Sequence, residues 1–271
     1  TALMHTIVVL EKRLILKTWT IILSITTFTL SMSGTFLVRS GILNSVHTFA
    51  NDPKRGIFIL IFLFTLVLLS ILIFFFFQIK EAKPQRKIFW LSKETSILVN
   101  NWFMMYFLSV VLIGTTYPIF LEALTNEKIS VGPPFYNKLL IPFLIPFLIF
   151  MSIGPHLKWI KDENKKIKTQ QISLLLISFI IGYFIIIKIS LEFSLLSILI
   201  GAAIYLFITT VKDFLVKKNK ISQNIAHFGF SLLVLSISFN IIFSKEFSTN
   251  MKIGDEVKFE NNLIKFKKIE T

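Results

Sequence analysis

Apolar residues along this chain gather into blocks about as long as a bilayer's hydrocarbon core requires, roughly 20 residues for a helix rising 1.5 Å per residue. After a shorter apolar stretch at Thr1–Leu10, the blocks run approximately Thr18–Val38, Gly56–Phe77, Val99–Leu121, Leu139–His156, Ile172–Ile187, Leu191–Thr210 and Ile225–Phe243. Such segments must satisfy every backbone polar group internally, so each is expected to be a helix. The fold class that follows is an all-α polytopic membrane protein with seven full transmembrane helices and one truncated at the N-terminus. Only 16% of the 271 residues are charged and 54% are hydrophobic. A soluble chain of this length would carry nearer about a quarter charged, which argues against a water-soluble enzyme.

The formal net charge of +14 comes from 29 basic and 15 acidic residues. That excess does not form a continuous patch, so it does not indicate a nucleic-acid partner. It sits in short loops. Glu11–Lys17, Lys80–Lys87, Lys158–Lys168 and Lys212–Lys220 are rich in Lys and Arg. Arg39–Arg55, Thr125–Lys138, the turn Lys188–Ser190 and the tail after Ser244 alternate with them. The positive-inside rule assigns the first set to the cytoplasm and the second to the periplasm or its organellar equivalent. Arg39, Lys54 and Arg55 then stand out as basic residues on an outside loop. With no Cys in the sequence, disulfides, thiolate metal sites and a cysteine nucleophile are excluded from this stretch.

The tail reads differently. Val257 to Ile269 alternates apolar and polar residues on either side of Asn261-Asn262, the period of two expected of a strand pair. One hairpin is marginal alone, so residues 244–271 read as the start of a periplasmic β domain following a helical bundle over 1–243. The chain also opens at Thr1 already within an apolar stretch, which suggests part of a longer protein.

Histidines are the foremost candidates for chemistry. His5 lies seven residues before Lys12, and His227 seven residues after Lys220. At 1.5 Å per residue, each imidazole sits roughly 10 Å from the cytoplasmic charge boundary. The two helices run in opposite directions, so the rings reach one depth, as a porphyrin ligated on both faces would need. Small neighbours Ala2, Ala226 and Gly229 would admit a flat ring or a neighbouring helix. The alternative is a neutral histidine hydrogen-bonded within the bundle. His47 sits in the outside loop among Ile42, Leu43, Val46 and Phe49, flanked by Arg39, Lys54 and Arg55. Imidazole, apolar surface and guanidinium suit a haem with its propionates, and equally suit an interfacial turn meeting lipid headgroups. His156, beside Lys158 and Trp159, reads as part of an interfacial anchor. Asn100-Asn101-Trp102 reads as the opening of a helix, and Gly132-Pro-Pro-Phe-Tyr-Asn137 as a rigid outside turn able to wall a cleft. No catalytic triad, phosphate loop or carboxylate pair is visible.

Four stretches carry a resemblance: Thr1-Ala-Leu-Met-His5; Gly34-Thr-Phe-Leu-Val-Arg-Ser-Gly41 continuing through Ser45-Val-His47 and Asp52-Pro-Lys-Arg-Gly56; Gly132-Pro-Pro-Phe-Tyr-Asn137; and Ala226-His227-Phe-Gly229. In this order they resemble the CcmF haem lyase family of cytochrome c maturation, and the chain corresponds to the portion after that family's tryptophan-rich segment. The resemblance implies that His5 and His227 ligate an intramembrane haem b. It implies that His47, with a second outside histidine not present here, holds haem as substrate, and Arg39 and Arg55 are candidate propionate contacts. It further implies a membrane subunit of a holocytochrome c synthase complex. Its partners would be a haem chaperone, apocytochrome c and a thiol-presenting subunit, in the bacterial (or mitochondrial) inner membrane. The haem lyase of nitrite reductase assembly shares these motifs. A transporter or exporter is the reading from another class, and would call for inverted repeats and mid-membrane charges, neither of which is seen.

Overall fold

A computed structural model describes residues 1–40, 52–78, 87–127, 129–162, 165–190, 195–216, 220–244, 249–259 and 262–267. The helices are α1 (Ala2–Arg13), α2 (Lys17–Ser40), α3 (Pro53–Gln78), α4 (Lys93–Thr125), α5 (Pro133–Ile153), α6 (Lys165–Ser190), α7 (Leu195–Leu215) and α8 (Ile221–Phe243). A 3-10 turn, Gly154–His156, extends α5. Seven of the helices, α2 to α8, are long and apolar enough to cross a membrane. The chain is therefore a polytopic all-α membrane protein, as the apolar blocks require.

Polar side chains inside these helices are largely answered by the helices themselves. In α2 the hydroxyls of Thr20, Ser24, Thr27, Thr29 and Ser33 each donate to the carbonyl four residues back, at 2.7–2.9 Å. Such back-bonding lets a Thr- and Ser-rich segment remain apolar on its outer surface.

The packing centre is α7, which lies against α5, α6 and α8. Its Leu199, Ala202, Ala203 and Leu206 join Ile145 and Leu148 of α5 and Val234 of α8 in one buried cluster. Small residues set the separations. A methyl group on Gly182 of α6 would stand 2.7 Å from the backbone nitrogen of Gly201 in α7. Dispersion attraction between backbones this close takes the place of the hydrophobic drive that lipid does not supply between helices. Further out, α4 packs on α5, α1 packs on α4 and α2, and α2 packs on α3.

One end of the bundle is fastened by a polar knot. Helix α4 starts where Ser92 caps it, accepting from the Thr95 N–H at 3.2 Å. Glu94 follows in the first turn, where the helix dipole favours a carboxylate. Glu94 Oε1 accepts from Arg13 Nε, in the last turn of α1, at 2.6 Å, and the two side chains are 2% and 12% exposed. Both Glu94 oxygens also accept from the Ile160 N–H at 3.0 Å. Ile160 has φ 73°, a left-handed conformation costly for a β-branched residue, so the carboxylate holds a strained loop in place. Lys93 N–H donates to the Lys158 carbonyl at 2.9 Å, and Asp162 N–H to that of Leu91 at 2.8 Å.

Several expectations need correction. Asn100 and Asn101 do not open a helix, because the Ser92 cap starts α4 two turns earlier and places them inside it. Gly132 caps α5 and Pro133 and Pro134 occupy its first turn, so Phe135 and Tyr136 are helical rather than part of a turn. Both pack against Gly114 of α4, where an added methyl would meet Tyr136 Oη at 2.8 Å. Lys188–Ser190 belongs to the end of α6, and α7 starts at Leu195 and continues to Leu215. The terminal hairpin is antiparallel, with Glu256–Phe259 (β1) paired to Asn262–Lys265 (β2), so Asn262 opposes Phe259 instead of sitting in the turn.

The α6–α7 approach and the polar knot can each be tested by substitution. Gly182→Ala forces a methyl into backbone atoms and is expected to cost about 1–3 kcal/mol, read as a lowered thermal midpoint in detergent; an unchanged midpoint would contradict the close approach. Glu94→Ala leaves Arg13 buried without its partner and is expected to cost about 3–5 kcal/mol. The double variant Arg13→Met/Glu94→Leu should be more stable than Glu94→Ala alone, and equal loss in both would deny the coupling.

Candidate functional site

The polar knot fixes how α1 lies along α4, and hence where His5 falls. From Arg13, eight residues back along α1 reach His5; from Glu94, seven residues forward along α4 reach Asn101. At 1.5 Å per residue both lie roughly 10–12 Å from the ion pair, so the two side chains meet at one level between antiparallel helices. His5 is half-buried and Asn101 is fully buried, and the two side chains lie within reach of one another. Neither side chain completes a full bond: His5 Nδ1 and both amide atoms of Asn101 are buried without a hydrogen-bond partner. The adjacent Asn100 likewise carries an unpartnered Oδ1. Buried amides without partners are uncommon and costly, and this group of them lies around the histidine.

His227 stands two turns into α8, whose first residue follows Lys220 at the N-cap. Neighbouring aromatics hold α8 in place. Phe228 packs on Phe207 and Phe214 of α7, with centroids 5.4 and 6.2 Å apart. Phe230 meets Phe147 of α5 edge-on at 5.9 Å, and Phe147 meets Phe107 of α4 at 5.4 Å. His227 is half-buried and within electrostatic range of His5 and of Lys93. Helices α1 and α8 nevertheless are not among the closely packed pairs. His5 and His227 thus sense one another's charge from helices that are not closely packed together. On α8, Ala226 and Gly229 are not buried, and a methyl added at Gly229 would meet nothing within 4 Å.

The remaining sites are more varied. His47 lies outside the described residues. Arg39 occupies the last turn of α2, and its carbonyl accepts from the Asp52 N–H at 3.1 Å, which closes the α2–α3 connection. Arg55 pairs with Asp52 at 3.2 Å, with both side chains open to the surroundings. His156 is buried rather than interfacial, with Nε2 3.6 Å from Asp213 Oδ2 at the end of α7. Among the described residues, no group of three or more His, Asp or Glu gathers as a metal-holding set. Sequence reasoning does not single out Arg13, Glu94, Asn101 or Asp213 as site residues. The signal available for Asn101 is an amide pair inside an otherwise apolar block, since polar residues within a span tend to carry function.

No family model matches the chain. A cytochrome c-type biogenesis protein CcmF from Haemophilus influenzae is 34% identical over 98% of this chain and 43% of the relative. The Escherichia coli K12 CcmF is 31% identical over 100% of this chain and 43% of its own length. The chain thus spans less than half of these relatives. A protein named NrfE from Haemophilus influenzae is 35% identical, over 56% of this chain and 24% of its own length. Among solved structures, one described as the cytochrome c heme lyase CcmF matches 89% of this chain and 37% of its own, with a TM-score of 0.64 and 21% identity, a likeness of fold. Near-complete alignments with CcmF proteins, on a bundle of the same architecture, establish that this chain belongs to the CcmF family of cytochrome c-type biogenesis proteins.

Proposed function

We propose that this chain is the haem-holding part of a membrane haem lyase, acting in cytochrome c biogenesis by attaching haem covalently to apocytochrome c at the periplasmic face. What supports the proposal is the electrostatic proximity of His5 and His227, on helices running in opposite directions and not closely packed together, in a chain of the CcmF family. Their surroundings fit a haem b. His5 offers a buried ring nitrogen with no partner, and α8 is open at Ala226 and Gly229. Bound between these imidazoles, a haem iron would supply a one-electron couple for the redox state of the haem being attached.

The chain's own residues do the rest. His5 and His227 are the residues that would hold the intramembrane haem. The edge-to-face contacts among Phe230, Phe147 and Phe107 hold α8 against α5, and α5 against α4. At the outer face, His47 holds the substrate haem by its iron. Arg39 and Arg55 are placed to take its propionates, Arg55 exchanging its contact with Asp52 for a new one. There a thiol S–H of apocytochrome c adds across a haem vinyl group, sulfur bonding to one carbon and hydrogen to the other. Placement and axial ligation are the protein's contribution, which is consistent with the lack of a hydrolytic triad.

Orientation follows from the same sites. The knot at Arg13, Glu94 and Ile160 faces the cytoplasm of a bacterial inner membrane, and the His47 loop and terminal hairpin face the periplasm, where a haem chaperone and apocytochrome c dock. The full-length protein purified in detergent should show a b-type haem spectrum that His5→Ala or His227→Ala abolishes. An unchanged spectrum in both variants would overturn the intramembrane site. His47→Ala should retain the spectrum and lose cytochrome c maturation, measured by haem staining of a c-type cytochrome; retained maturation would remove His47 from the proposal.

A further inference from the structure

We infer that Asn101 is a positioning residue for His5, its amide oxygen accepting from Nδ1–H so that Nε2 is turned, with its lone pair, toward the space shared with His227. The inference rests on the intramembrane haem site proposed above and adds to it a residue from a third helix. Three independent observations support it. Asn101 is fully buried with neither amide atom partnered, an arrangement that costs about 1–3 kcal/mol unless some state of the protein uses it. His5 Nδ1 is buried and unpartnered in the same way. Asn101 is an amide within reach of His5, on the helix against which α1 is packed.

The chemistry follows from the donor inventory. A neutral imidazole carries one N–H and one lone pair, and the partner of the first nitrogen determines which face the second presents. The unpartnered His5 atom is Nδ1, so an acceptor there leaves Nε2 free to ligate. An amide is a better choice than a carboxylate at this depth because it accepts without bringing a buried charge. It also makes the imidazole a moderate electron donor, and metal-bound histidines commonly rely on such a partner for orientation and basicity. The Arg13–Glu94 pair sets the register that brings the two groups level, so a slip of α1 by one residue would turn His5 away from Asn101.

The test uses the full-length, haem-loaded protein in detergent and reads the midpoint potential of its b-type haem. Asn101→Leu removes the acceptor, weakens electron donation by His5 and should shift the potential upward. It should also weaken haem retention about 10–100-fold. Asn101→Asp supplies a stronger acceptor and should shift the potential downward. Shifts of opposite sign support the inference, because a merely structural role would perturb both variants alike. Should the Leu variant fail to fold, the Asp variant decides by the sign of its own shift. A haem present and dependent on His5, with a potential that neither variant moves or that both move the same way, overturns the role of Asn101 alone. A wild-type protein without b-type haem overturns the site and this inference with it.

Discussion

The end of the bundle where α1 meets α4 hangs on one carboxylate. Glu94 neutralises Arg13 and satisfies the Ile160 N–H from the first turn of α4, at 2% exposure. A charge in that position is costly unless every lone pair is used, and here both oxygens are. In return the short helix α1, only 12 residues long, is locked to the 33-residue α4. The lock matters because helices in lipid have no hydrophobic reason to choose one register over another. A polar contact at the membrane boundary supplies that choice, and its consequence appears about 10–12 Å deeper, where His5 comes level with Asn101.

A second constraint comes from close packing about α7. Glycine and alanine at 201–203 let α6 and α5 approach, and Tyr205 donates to Gln171 Oε1 at 2.7 Å across the α6–α7 contact. Helix α8 is then held by phenylalanine contacts to α7 and α5. Rigid aromatic contacts hold the backbone of α8 while leaving the Ala226 and Gly229 surface bare. One histidine helix is thus fixed electrostatically and the other sterically. The space between them is a product of both, since α1 and α8 are not among the closely packed pairs.

Much of this is legible in the amino-acid sequence, for identifiable reasons. Apolar blocks of span length follow from the bilayer, so the number and order of the helices can be read directly. What cannot be read is lateral. Nothing in the spacing says that α1 lies on α4 rather than beside α8, or that Arg13 and Glu94, 81 residues apart, are paired. Asn101 therefore reads as a helix start, because its partner is set by tertiary packing. His156 reads as a membrane-surface residue from its neighbours Lys158 and Trp159, whereas Asp213 of a distant helix draws it inward. The Gly132–Asn137 stretch reads as a turn by composition, yet proline in a first helical turn is as well suited to starting a helix as to stopping one.

Two imidazoles from opposed helices sharing one iron are the centre of the proposal, and electron paramagnetic resonance of the oxidised full-length protein addresses them most directly. In a His47→Ala background, which lacks a ligand at the outer site, the expected spectrum is a six-coordinate, low-spin ferric signal of the bis-imidazole type that disappears in either His5→Ala or His227→Ala. A high-spin signal from the unaltered pair, or a low-spin signal that survives loss of either histidine, would contradict the shared site.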